Sequence, residues 1–185
     1  MTPTETGVIV PVPALEPVVG EYRAALDHSA VWGVLPHVTV LYPFAGPAEL
    51  TDETRRKLKD AAAVVEAFTC VFDRVEWFGD DVVWLTPTPD LPFRRLTDAV
   101  WRAFPDHPPY SGGFPDPVPH LTVGSTRLAG LDELRKAAKA VVSQLPVRAD
   151  IDRVWLVQGT DAPGSWGVVD EIILPAPAAG PGRPM

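Results

Sequence analysis

Leu35-Pro36-His37-Val38-Thr39-Val40-Leu41 and Val118-Pro119-His120-Leu121-Thr122-Val123-Gly124 spell one pattern twice: proline, histidine, apolar, threonine, apolar. In an extended strand, side chains two positions apart share a face at a spacing of about 6.6 Å. His37 and Thr39 therefore lie on one face while Val38 and Val40 turn to the other. His120 and Thr122 stand in the same relation to Leu121 and Val123. A histidine-plus-threonine face is costly to bury dry, and a wet cleft removes that cost. Either histidine alone reads most simply as a structural polar residue at a strand end. Two matched strands 83 residues apart point instead to a site built from two halves.

Outward from these strands, residues 7–12 and 35–44 read as strands and 13–28 as an amphipathic helix. A helix over 51–66 starts at Thr51, whose hydroxyl suits an N-cap. Residues 67–78 set Phe68, Cys70 and Phe72 against Thr69, Val71 and Asp73, the period-two mark of a half-buried strand. Gly79-Asp80-Asp81 turns this strand into a second one at 82–87. A helix at 92–104, a loop at 106–117, a strand at 118–126 and a helix at 131–145 follow. The chain closes with strands at 147–159 and 166–174. Strand, helix and strand pair follow Leu35, and again follow Val118. The direct hairpins favour an α+β fold with antiparallel pairing, in two lobes. Residues 1–174 are expected to form one domain and the Pro/Ala/Gly tail 175–185 to be disordered.

A chain of 185 residues can bury a core without disulfides, and one cysteine excludes a disulfide framework or a thiolate zinc cluster. Neither a membrane span nor a secretory leader is read, so the expected location is the cytoplasm. The formal charge of −8 argues against tight, sequence-independent binding to a nucleic-acid backbone. It leaves room for a small phosphate-bearing ligand. Two opposed imidazoles suit in-line displacement at phosphorus, one taking a proton from the attacking oxygen and the other giving one to the leaving oxygen. Threonine hydroxyls can donate to the non-bridging oxygens. A ribose 2′,3′-cyclic phosphate fits best, because its ring already positions the ester and no metal is needed.

Other residues read as structural. His28 is expected to cap a helix C-terminus and His107 to sit in an exposed loop. Neither stands at a metal-binding spacing. Trp84, Trp101 and Trp155 are expected in the core, and Cys70 as a packing thiol. The run Arg55-Arg56-Lys57-Leu58-Lys59 is expected on a solvated helix face. Tyr110 and Phe114, flanking Gly112-Gly113 before the second motif, are placed to meet a base.

At His37-Val38-Thr39-Val40 and His120-Leu121-Thr122-Val123 the chain resembles the 2H phosphoesterase superfamily, in particular its bacterial 2′-5′ RNA ligase-like branch. The runs HVTVLYPF, RVEWFGDDVVWL and VWLVQGTD…WGVVDEIIL extend the likeness across residues 7–174. The resemblance implies a bilobal fold: two pseudo-symmetric antiparallel-sheet lobes, helices outside and a central cleft. It implies metal- and cofactor-independent cyclic phosphodiesterase activity, opening 2′,3′-cyclic phosphates to 2′-phosphates, with 2′-5′ RNA ligation in some members. By motif match, His37 and His120 become the acid–base pair and Thr39 and Thr122 the phosphate donors. The acidic chain has only Arg127 close behind a motif, which favours a short nucleotide or RNA end over a polynucleotide. Another nucleotide-derived cyclic phosphate is the alternative substrate. A non-catalytic module holding a phosphorylated ligand is the alternative of a different kind. The chain is expected to act as a monomer.

Overall fold

The computed structural model describes residues 2–114 and 116–177. Its elements are β1 (Glu5–Pro11), α1 (Glu16–Leu26), the single turn α2 (His28–Val31), β2 (His37–Leu41), α3 (Asp52–Ala62), β3 (Phe68–Phe78), β4 (Val82–Thr88), α4 (Leu91–Ala103), β5 (Leu121–Ser125), α5 (Leu131–Val142), β6 (Val147–Ile151), β7 (Arg153–Gly159) and β8 (Gly167–Ile173). All strand pairs are antiparallel and form two four-stranded sheets. The first has the order β2-β1-β7-β8 and the second β5-β4-β3-β6. The fold is the expected bilobal α+β arrangement, and each motif strand is the outer strand of its sheet.

The two sheets do not coincide with the two halves of the repeat read from sequence. The hairpin β3–β4 follows β2 in the chain but builds the sheet of β5. The pair β7–β8 follows β5 but builds the sheet of β2. The predicted strand at 147–159 is in fact two: β6 pairs with β3, the chain breaks at Asp152, and β7 pairs with β1. The helices exchange as well. α1 links two strands of the first sheet yet packs on β5, and α4 links two strands of the second yet packs on β2. Period-two patterning assigns a residue to a face, and nothing in it says which sheet the strand will join.

The exchange produces one contiguous core. Val38, Val40, Leu121 and Val123 are at most 2% exposed, which fixes the opposite faces of β2 and β5 as the cleft-facing ones. Helix α3 begins as predicted, with the Thr51 hydroxyl accepting from the Thr54 N–H at 3.2 Å. Its basic run is not wholly solvated, since Arg55 donates to the Val169 carbonyl and pairs with Asp170, both in β8. Helix α1 ends earlier than expected, so Asp27 and not His28 terminates it, and His28 opens the next turn against the Trp32 ring. His107 is half-buried against Phe44 instead of loose in solvent. Cys70 is buried as expected, and burial pushes its thiol up to about 12. In the expected tail, Pro175 accepts a hydrogen bond from Ala67 N–H at 2.7 Å, and residues from 178 onward lie outside those described. No helix among the described residues is long and apolar enough to cross a membrane.

Candidate active site

β2 and β5 approach each other with Cα atoms within 8 Å, so the outer strands of the two sheets meet. Residues directly opposite in an antiparallel pair share a face. Pro11 and Ile9 stand opposite His37 and Thr39, and Trp84 stands opposite Thr122. These residues share the faces of the four motif side chains, which are half-buried.

Both imidazoles are held in the same way. His37 Nδ1 lies 2.7 Å from the Leu35 carbonyl, and His120 Nδ1 lies 2.7 Å from the Val118 carbonyl. A carbonyl oxygen can only accept, so each Nδ1 carries the proton and each neutral ring keeps a lone pair on Nε2. The proline shared by both motifs explains the geometry, because it fixes the backbone between the accepting carbonyl and the ring. Pro36 is itself held by its carbonyl, which accepts from the Val12 N–H at 2.7 Å.

The rings share a depressed basicity. Burial lowers His37 from 6.5 to about 4, aided by the positive charge of Arg23; the Leu35 carbonyl and Asp27 oppose this, and His120 adds a small further depression. Burial also lowers His120, against the opposing pull of the Val118 carbonyl and Asp27. The aromatic wall around His120 supplies part of that burial: Phe78 meets its ring edge-on at 5.0 Å and Trp84 at 5.8 Å. Burial thus favours the neutral imidazole at both positions.

Tyr110 reaches the site from the other side. Its phenol meets the Thr39 hydroxyl, and its backbone N–H donates to the Tyr42 carbonyl at 2.6 Å. Tyr110 and Ser111 both sit in the left-handed region, at φ 52° and 55°, where side chains other than glycine are strained. This left-handed run turns the loop back onto β2, so Tyr110 joins the first motif although it precedes the second in sequence. Phe114 packs edge-on against Tyr110 at 5.6 Å and is 61% exposed, at the margin of the site.

Trp84 is buried, but on the cleft side against His120 and not in the main core. The alternation Val83-Trp84-Leu85 carries the signal that could have placed it there. Trp101 and Trp155 are half-buried, the latter donating to Glu171 at 2.8 Å. Trp84 Nε1 and Thr86 Oγ1, two apart on β4, find no hydrogen-bond partner among the described residues. Sequence reasoning also missed Phe78, Arg23 and Asp27. The last two are buried charges on an otherwise ordinary helix end, with only their four-residue spacing as a clue. Among the described residues, no group of three His, Cys, Asp or Glu is arranged to hold a metal ion.

A sequence model of the 2′-5′ RNA ligase superfamily matches residues 11–163. Among solved structures, the fold is similar to Escherichia coli LigT complexed with 3′-AMP, at 18% identity and a TM-score of 0.58, covering 94% of this chain and 99% of that one. A protein of Thermus thermophilus, TT0787, is similar at 14% identity and a TM-score of 0.65, with the same coverage. A crystal structure described as a phosphoesterase matches at 18% identity and a TM-score of 0.56, again over 94% and 99% of the two chains. At these identities the likeness is one of fold. The curated proteins compared contain no match.

Proposed function

The chain belongs to the 2′-5′ RNA ligase superfamily, and we propose that it is a metal-independent phosphoesterase opening 2′,3′-cyclic phosphates of nucleotides or short RNA ends to 2′-phosphates. The observation that carries this reading is the pair of imidazoles, each with its proton pinned on Nδ1, which leaves the Nε2 lone pair as the acceptor of each neutral ring.

His37 is the general base. Arg23 opposes its protonation, which favours the neutral, proton-accepting form of this ring. Its Nε2 takes a proton from water as the water oxygen bonds to phosphorus. His120 has Asp27 as the charged residue acting on it, and the arriving phosphate favours its protonated form. It gives that proton to O3′ as the P–O3′ bond breaks. One proton is taken and one given, and the exchange with solvent restores both rings. Thr39 and Thr122 donate to the non-bridging oxygens, where charge builds up in the transition state. Tyr110 and the exposed ring of Phe114 offer surface for a base.

The net charge of −8 supports a short ligand over a long RNA. Complexes of E. coli LigT with 3′-AMP and with ATP support a nucleotide in the cleft. The test is a panel of 2′,3′-cyclic nucleotides and a cyclic-phosphate-ended oligonucleotide, incubated with EDTA. Turnover to the 2′-phosphate is expected, reduced about 100-fold or more by His37→Ala or by His120→Ala. A folded protein that binds these ligands but releases no product is a binding module, and the proposal fails. Activity that survives both substitutions refutes the assigned site.

A further inference from the structure

Arg23 and Asp27 are 2% and 6% exposed, which is rare for charged side chains. The guanidinium sits in a closed polar network. Its Nε and Nη2 contact Asp27 Oδ2 at 3.0 and 2.9 Å, Nη2 donates to Ser29 Oγ at 2.8 Å, and both Nη1 and Nη2 donate to the Val34 carbonyl at 3.3 Å. Ser29 closes the ring, donating from Oγ to Asp27 Oδ2 at 2.7 Å and from its N–H to Oδ1 at 3.1 Å. The Val34 N–H is held too, donating to the Ser29 carbonyl at 2.9 Å. Both polar groups of the Val34 backbone are thus held, the carbonyl by Arg23 and the N–H by Ser29.

A buried ion pair is a weak source of net stability, because desolvating both charges offsets their attraction. This one is built around a carbonyl just upstream of the first motif. The next carbonyl along, Leu35, accepts from His37 Nδ1. We propose that Arg23 is a positioning residue for His37, gripping the Val34 carbonyl so that the Leu35 carbonyl stays aimed at the ring and fixes its tautomer. The proposal rests on His37 acting as the base. Lysine cannot substitute, since an ammonium lacks the planar fork that reaches Asp27, Ser29 and Val34 together. The second motif supplies an internal control. Pro117 stands where Val34 does, and among the described residues no arginine donates to its carbonyl; the nearby arginine contact is Arg94 on the exposed side chain of Asp116. The titratable groups acting on His37 are Arg23, Asp27 and His120, whereas Asp27 is the one acting on His120, so Arg23 also disfavours the imidazolium at His37.

The test is the ring ¹⁵N spectrum of His37 and His120 in the full chain, which reports tautomer without substrate. The wild type is expected to show a protonated Nδ1 at both rings. In Arg23→Lys, the two nitrogens of His37 are expected to move toward a shared, averaged shift while those of His120 stay in place. The kcat on a 2′,3′-cyclic nucleotide should fall roughly tenfold to a hundredfold, with KM changed by less than about twofold. An unchanged His37 in the folded variant, or equal changes at both rings, overturns the proposal. If the lysine variant fails to fold, Ser29→Ala decides, because it removes one anchor of the guanidinium and leaves the ion pair. A change selective for His37 then supports the clamp, and an unchanged His37 refutes it. A wild type without turnover sinks the proposed activity but leaves the tautomer result standing.

Discussion

The two motifs part company at their last position, where the first has Leu41 and the second Gly124. Helix α1 crosses from its own sheet onto β5 at this point. A methyl group on Gly124 would lie 2.6 Å from Leu26 Cβ, 3.3 Å from the Leu26 carbonyl oxygen and 2.8 Å from Leu134 Cδ2. Leu134 can swing its terminal methyl aside, but the Leu26 atoms move only with the helix. Carbon atoms pack at about 3.5–4.0 Å, so α1 and β5 must separate by roughly 1 Å. Overpacking of this kind costs about 1–3 kcal/mol. Replacing glycine recovers about 0.4–1 kcal/mol by restricting the unfolded chain. The net expectation for Gly124→Ala is a loss of about 1–2 kcal/mol, or roughly 2–8 °C in melting temperature for a chain of this size. With a urea m-value of about 2 kcal/mol/M, the midpoint should fall by about 0.5–1 M at constant m. Gly167→Ala is the control, since nothing lies within 4 Å of its added methyl. It should match the wild type or exceed it slightly. A Gly124→Ala protein as stable as Gly167→Ala would refute the claim that glycine is required for α1 to reach the second sheet.

Acid should destabilise the fold through the two histidines. The folded state holds His37 at about 4 and His120 below 6.5, so the unfolded chain binds more protons in between. Their contribution to stability is therefore complete above pH ~6.5 and is lost as pH falls from there toward His37's folded value. Urea midpoints from pH 7.5 to 5 should drop more steeply in the wild type than in a His37→Gln/His120→Gln variant, and equal slopes would count against the depressed values. Ser111 occupies the left-handed region at φ 55°, a conformation that costs an L-residue about 1–2 kcal/mol. Ser111→Gly relieves this and, after glycine's own entropic cost, should stabilise the protein by about 0.5–1 kcal/mol; a lowered melting temperature would contradict the strain.

What the sequence makes legible here is what depends on short range. Alternation along seven residues suffices to put His37 with Thr39 and His120 with Thr122 on the faces away from Val38, Val40, Leu121 and Val123, and burial agrees at every position. What stays hidden is contributed by contacts between segments far apart in the chain. Tyr110 meets Thr39 only because two residues adopt a rare backbone conformation. Arg23 reaches Val34 only because α1 ends in a turn that doubles back toward β2. The strand at 147–159 could not be divided from its composition, since residues on both sides of Asp152 suit a strand equally well and the break reflects a change of partner sheet.

That change of sheet bears on how the two histidines are held. Were each repeat half to form its own lobe, the imidazoles would ride on units joined by a linker, and their separation would depend on a hinge. Here β7–β8, from the second half, completes the sheet of His37, and β3–β4, from the first, completes the sheet of His120. α1 and α4 are exchanged as well, and the residues beneath both sheets belong to one contiguous core. Opening the cleft would require parting packed strands and helices, not bending a loop. The spacing of the two rings is therefore set when the core forms, which is the preorganisation that the proposed two-histidine displacement demands.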